Sequence, residues 1–194
     1  MPLLSYQINK DNSKKPKLLV KRNLMNILAY RRMLRENHIP FTYYKQAKNF
    51  FEDKSYYFAF INYFMMLEYC FGNGQFKKES LLKAFKSSVI LMKSTKTAFN
   101  LFNNKEGGNK TWLIEECRKR NKTYDENSIL YIFVEYRGLL SHASKNSEKY
   151  LYNDTELFPI TLFLSLVCLL VCGNLQISKF MSKEQIETWD MKEV

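Results

Sequence analysis

The stretch "SILYIFVEYRGLLSHAS", residues 128–144, decides the fold. Wound at about 100° per residue, it gathers Ile129, Ile132, Phe133, Tyr136, Leu139, Leu140 and Ala143 into one apolar stripe. Arg137 then lies about 100° to one side of that stripe and His142 about 120° to the other, so the two polar residues flank the buried face. Asp125 or Asn127 just ahead is suited to cap this helix, which the spacing predicts from about Ser128 to Ala143.

Further helices extend from it in both directions. Downstream, "SKNSEKYLYND" reads as a polar loop, and an apolar segment from about Pro159 to Met181 closes the core. Part of it, "LFPITLFLSLVCLLVC" (157–172), invites a membrane reading. It has Pro159 near its start, includes Thr161 and Ser165, and falls short of the ~20 residues a span requires. A buried core or interface helix is expected instead.

Upstream, residues 42–71 read as one long helix, or two joined near Asp53–Ser55. The second part, "YYFAFINYFMMLEYCFG", is apolar on nearly every side apart from Asn62 and Glu68, which places it centrally. "GNG" (72–74) stops it. Residues 76–102 read as one further helical stretch, with Leu82, Phe85, Val89 and Met92 on one face. "NNKEGGNK" (103–110) is expected to be an exposed loop before a shorter element around Trp112–Arg120.

Near the start, Leu19, Leu24, Ile27, Leu28 and Leu34 alternate with basic groups over residues 18–37, an amphipathic helix that "HIP" (38–40) should stop. The expected architecture is all-α: a bundle of about four main helices with an extra N-terminal basic helix. Its parts are a basic arm and helix (1–40), the bundle (41–182) and a short tail (183–194).

Composition supports this architecture. The chain has 194 residues, 46% of them hydrophobic, with only 6 Gly and 4 Pro to mark turns. That is enough chain to bury a core without metal or disulfide staples. Thirty Lys+Arg against 19 Asp+Glu give a formal net charge of +11, which favours an anionic partner or reflects a lysine-rich solvated surface. Cys70, Cys117, Cys168 and Cys172 form no CxxC pair and read as buried free thiols in a reducing compartment. No signal-peptide pattern opens the chain, so a cytoplasmic location without membrane attachment is expected. No P-loop, dinucleotide fingerprint, HExxH or zinc-finger spacing is present, and neither cofactor nor metal is expected.

Spacing alone does not single out Arg137 and His142, because Arg31 and Arg32 precede the other histidine, His38, at similar intervals. Context separates the two matches. His38 lies in a basic segment at a proline, whereas His142 sits inside an apolar helix and before a longer one. In that setting the RxxxxH of "RGLLSH", with "AFINYFMMLEYCFG" before it and "FPITLFLSLVCLLVCGNLQI" after it, resembles the HEPN domains. The resemblance covers roughly residues 42–181. Many active members carry Asn, Asp or another polar residue after the Arg, where this chain has Gly138.

The resemblance implies a metal-independent endoribonuclease, an RNA-binding toxin or effector in antiviral or toxin–antitoxin defence. It also implies a homodimer that brings two Arg–His pairs into one cleft, with a cognate antitoxin or sensor protein as a further partner. The residue types suit the chemistry. Histidine moves protons near neutral pH, and arginine offers a permanently charged fork to phosphate oxygens. The alternative is a non-catalytic HEPN-like subunit that binds RNA or scaffolds a larger complex.

Around the pair, Glu135 and Asn146 fall on the His142 flank, where either is placed to orient the imidazole. Ser144 shares the Arg137 flank, Gly138 offers a point of helix distortion, and Ser141 lies between the two. Tyr136, on the stripe, reads as packing. Glu68 is either a satisfied buried carboxylate or a partner of the site. Lys14, Lys15, Lys17, Lys21 and Arg22 in the arm, and Lys145 after the pair, are candidate RNA contacts. The arm equally fits a solvated tail or a contact to a partner protein.

Overall fold

The computed structural model describes residues 38–104, 108–141 and 154–178, all within the unit Asn37–Val194. The arm, the predicted helix over 18–37 and the C-terminal tail lie outside the described residues, as does most of the polar loop after Ser141. Among the described residues there are seven α-helices, one short 3-10 turn and no strand. The protein is an all-α bundle.

The first two helices, α1 (His38–Glu52) and α2 (Tyr56–Phe71), form a hairpin, so the second of the two readings of residues 42–71 is the observed one. The connection is tight. Ser55 N–H donates to the Phe50 carbonyl at 2.8 Å, and Lys54 adopts a left-handed φ of 60° between them. The helix over 18–37 that "HIP" was expected to stop lies outside the described residues. His38–Pro40 form the first turn of α1, where a proline forgoes no intrahelical hydrogen bond. At the far end of α2, Gly72 N–H donates to the Glu68 carbonyl, and a Cβ at Gly72 would lie 2.5 Å from that oxygen.

Residues 76–102 are not one helix but two, α3 (Lys78–Ser87) and α4 (Val89–Asn103). Ser88 between them is extended (φ −87°, ψ 110°), and its hydroxyl accepts from Leu91 N–H at 3.2 Å. A single serine thus ends one helix and caps the next. After α5 (Gly108–Lys119), Asp125 rather than Asn127 caps α6 (Glu126–Ser141), accepting from Ser128 N–H at 2.8 Å. The chain then re-enters at the turn Asp154–Leu157 and runs through α7 (Phe158–Ser178).

Tilted and edge-to-face aromatic pairs join the helices at the centre. Phe64 of α2 meets Phe85 of α3, and Phe163 of α7 meets both Phe102 of α4 and Phe133 of α6, with ring centroids 5.1–6.0 Å apart. Phe64, Phe85, Phe133 and Phe163 are wholly or almost wholly buried, as aromatic rings at the junction of several helices must be to exclude water. The 128–144 stripe packs as expected through Ile129, Ile132, Phe133, Tyr136 and Leu140. Leu130 and Val134 are buried too, so α6 is enclosed on more sides than the stripe alone required.

The apolar helix α7 runs 21 residues, so length no longer argues against a membrane span; it alone among the described helices is long and apolar enough to cross one. Half of its apolar window is instead buried within the bundle. Its other side, with Leu162, Leu166 and Leu169, joins Tyr44, Phe51 and Leu101 around an apolar groove of about 550 Å³. Cys117, Cys168 and Cys172 are buried, Cys70 is partly so, and all four are free thiols. Burial pushes the Cys70 thiol up to about 11 and that of Cys172 up to about 12, which keeps both protonated and unreactive at neutral pH.

Helix α2 departs from expectation in one respect. It is central, yet Phe58, Met65 and Tyr69 reach solvent along one side of it.

Candidate functional site

Arg137 projects from the penultimate turn of α6 across to α2. Its Nη2 donates to Glu68 Oε1 at 2.9 Å, and the two side chains are 23% and 21% exposed. The ion pair therefore lies at the edge of the bundle, partly desolvated and reachable from outside. No other hydrogen bond ties the guanidinium to the described residues. The Tyr57 hydroxyl, also on α2, donates to the Leu140 carbonyl at 2.8 Å. That bond satisfies one of the carbonyls a helix leaves open at its C-terminus and fixes the last turn of α6 to α2.

The surface around Arg137 is open. Gly138 has nothing within 4 Å of where a Cβ would stand, and Ser141 is exposed. A glycine within a helix costs about 1 kcal/mol relative to alanine, and here it leaves room for a side chain at the position that follows Arg137. His142, Ser144, Lys145 and Asn146 lie outside the described residues, as do Lys14, Lys15, Lys17, Lys21 and Arg22.

Glu135 belongs to a different cluster. Two residues before Arg137, it points to the opposite side of α6, where Lys78 Nζ approaches Oε1 at 3.4 Å and Arg120 Nε bonds Oε2. Both carboxylate oxygens are thus engaged by cations from α3 and from the end of α5. Arg120 also donates through Nη1 to the Glu116 carbonyl at 2.9 Å and to Glu116 Oε2 at 2.7 Å. Glu116 is nearly buried and accepts further bonds from Lys119 Nζ at 2.7 Å and the Tyr136 hydroxyl at 2.8 Å.

Burial disfavours the Glu116 carboxylate. The hydrogen bonds from Lys119, Tyr136 and Arg120, with the charge of Arg120, outweigh that and hold its pKa below the ordinary value. For Lys78, burial is likewise outweighed by the Tyr131 hydroxyl, 2.6 Å away, and by Glu135, and its pKa is raised. The cluster borders a cleft of about 500 Å³, closed on its other sides by Trp112, Leu139 and Glu156. Its charges answer one another, and it ties α3, α5 and α6 together.

No family model, curated protein or solved structure matches this chain. The functional reading therefore stands on the residues and their geometry.

Of the candidates named from the sequence, Arg137, Gly138 and Ser141 lie together at the C-terminal end of α6, while Glu135 is turned away from them. Glu68 is a satisfied, partly buried carboxylate whose partner is Arg137. Tyr136 is 3% exposed and packs against Trp112 and Phe60, as its place on the stripe implied. Tyr57, Glu116 and Arg120 carried no signal strong enough to be singled out. Only the Glu116–Arg120 spacing of four, a helical ion-pair interval, was readable in advance.

Proposed function

We propose that the protein is a metal-independent endoribonuclease of the RxxxxH type, with Arg137 and His142 as its catalytic residues. The observation that carries this reading is the state of Arg137. It is fastened to Glu68 through one nitrogen and partly exposed, five residues before His142 in the sequence. A guanidinium held in this way is pre-oriented for a phosphate without first paying rotamer entropy.

In the proposed reaction the RNA 2′-oxygen forms a bond to the adjacent phosphorus, and the bond from phosphorus to the 5′-oxygen breaks. His142 exchanges the protons, one leaving the 2′-OH and one arriving on the 5′-oxygen. Arg137 stabilises the extra negative charge on the phosphorane. A homodimer supplies two such pairs to one cleft, so that base and acid come from different copies. The basic residues of the arm and Lys145 track the RNA backbone. The biological role that fits is a cytoplasmic toxin or effector in antiviral or toxin–antitoxin defence, restrained by a cognate antitoxin or sensor protein.

The test is cleavage of labelled single-stranded RNA in EDTA. Fragments ending in 2′,3′-cyclic phosphate are expected, and His142→Ala and Arg137→Ala should each abolish them while circular dichroism stays unchanged. Cutting that survives His142→Ala removes the mechanism.

A second reading is favoured by the same ion pair. Arg137 and Glu68 also suffice as a clamp between α6 and α2 in a non-catalytic module that binds RNA or scaffolds a defence complex. Binding of RNA without cleavage would select it.

A further inference from the structure

Two tyrosine hydroxyls belong to the wall of the apolar groove beside α7, and neither bonds to a described residue. Tyr63 of α2 is 2% exposed, Tyr44 of α1 is partly buried, and their ring centroids are 5.8 Å apart. A tyrosine buried to this degree ordinarily finds a partner for its hydroxyl. Tyr136, buried to the same extent, donates to Glu116, and the less buried Tyr57 and Tyr124 donate to Leu140 and Asn103. The groups near enough to act on the Tyr63 oxygen include Tyr44 and Glu52, which line the groove with it. Burial above all, then these neighbours, pushes the Tyr63 hydroxyl well above its ordinary range. It therefore stays protonated and keeps a hydrogen to donate.

The rest of the groove fixes what such a donor can meet. Leu162, Leu166 and Leu169 follow one side of α7 over about 10 Å, and Phe51 and Leu101 extend the apolar wall. The Ser165 hydroxyl already donates to the Leu162 carbonyl at 2.7 Å. Lys48 and Glu52 at the rim are paired at 3.3 Å, so their charges cancel. At about 550 Å³ the groove has the size of small-molecule sites, which combine apolar walls with a few placed polar groups.

We propose that this groove binds an uncharged acyl chain, laid along the leucines of α7, with its ester or amide carbonyl accepting from the Tyr63 hydroxyl. Charge complementarity selects the head group. The paired rim offers no net charge to an ion, and a carboxylate would stand unpaired against apolar walls beside Glu52. An ammonium brings no acceptor for a tyrosine hydrogen. A neutral carbonyl supplies that acceptor and leaves the walls to the chain. The groove shares no residue with the Arg137–Glu68 pair and stands apart from the proposed function.

Isothermal titration of the full-length protein with methyl decanoate at neutral pH tests the site. One ester per chain is expected, with a rise in Tm. Tyr63→Phe keeps the ring and should weaken binding about fivefold, the worth of one uncharged hydrogen bond. Without ester the same variant should unfold at the wild-type Tm, since it gives up no bond. Leu101→Glu and Leu169→Glu, at positions 46% and 53% exposed, should keep the helical circular dichroism and weaken binding at least tenfold. Decanoate and decylammonium, the same chain with charged heads, should also bind at least tenfold more weakly than the ester. No binding up to the solubility limit of the ester would overturn the proposal, as would unchanged affinity in Tyr63→Phe or decanoate binding as tightly as the ester. A Tm lowered by Tyr63→Phe alone would show the hydroxyl already engaged and remove the ground for it. Adsorption to phosphatidylcholine vesicles that Leu169→Glu abolishes, without affinity for methyl decanoate, would make the groove a membrane contact instead.

Discussion

Replacing Glu68 by alanine separates the two readings of Arg137. The bond is charge-assisted, with Nη2 and Oε1 2.9 Å apart. Fully desolvated bonds of this kind contribute about 1.5–3 kcal/mol, and fully exposed ion pairs about 0.2–1 kcal/mol. With side chains 23% and 21% exposed, the coupling belongs between these limits, at about 1–2 kcal/mol. For a chain of this length that is a fall in Tm of about 3–6 °C. The assay is a double-mutant cycle of Glu68→Ala, Arg137→Ala and the pair, read by urea denaturation, with RNA cleavage measured on the same samples. If Arg137 acts on phosphate, Glu68→Ala should also lower kcat by about 10²-fold, the cost of a catalytic group misplaced by about 1 Å. Glu68→Gln keeps an acceptor and should retain most of the activity. A coupling below about 0.3 kcal/mol, within the scatter of independent sites, refutes the bridge. Lost stability with unchanged cleavage leaves Arg137 as a clamp only.

Other expectations concern the frame that holds the site. Glu116→Gln removes the buried charge that pairs with Arg120 and should cost about 2–3 kcal/mol by urea denaturation, less than a fully orphaned cation because Glu135 remains. Glu116 and Asp125 both titrate below their ordinary values of 4.5 and 3.8. Their contribution is complete above those values and is lost as pH falls through the lower folded ones. The Tm should therefore hold down to about pH 5 and decline below about pH 4; a Tm that rises on acidification would contradict the bonding at both residues. Asp125→Ala removes the cap of α6 and should cost about 1 kcal/mol, seen as a lower urea midpoint with an unchanged slope.

The helical architecture was legible because periodicity reports burial directly. The stripe as far as Leu140, the "GNG" stop and the closing apolar helix appear as read. Ser88 escaped because Leu82, Phe85, Val89 and Met92 keep a helical spacing in the sequence across the break, whereas the residues that are buried are Leu81, Phe85 and Leu91, with Val89 exposed. The first described helix was read as beginning at residue 42 and includes Pro40, because a proline excluded from a helix interior is welcome in a first turn. Long-range partners were harder still. Glu68 stood out among apolar neighbours, yet nothing local joins it to an arginine 69 positions away. Glu135 shares a flank with His142 on a helical projection, but that projection omits the neighbouring helices, and those bring Lys78 and Arg120 to it.

The place of α7 in the chain has a consequence for synthesis. Phe102 and Phe133 find their shared partner only in Phe163, on the last helix of the described bundle to leave the ribosome. Until then the sides of α2, α4 and α5 that α7 covers stay open, although Arg137 is already made. A chain interrupted before residue 158 carries the arginine on an open core and has no rigid surface to present it. Completion of the polypeptide thus gates assembly of the surface around Arg137, and nascent or prematurely terminated chains should be substrates for proteases rather than partly working copies.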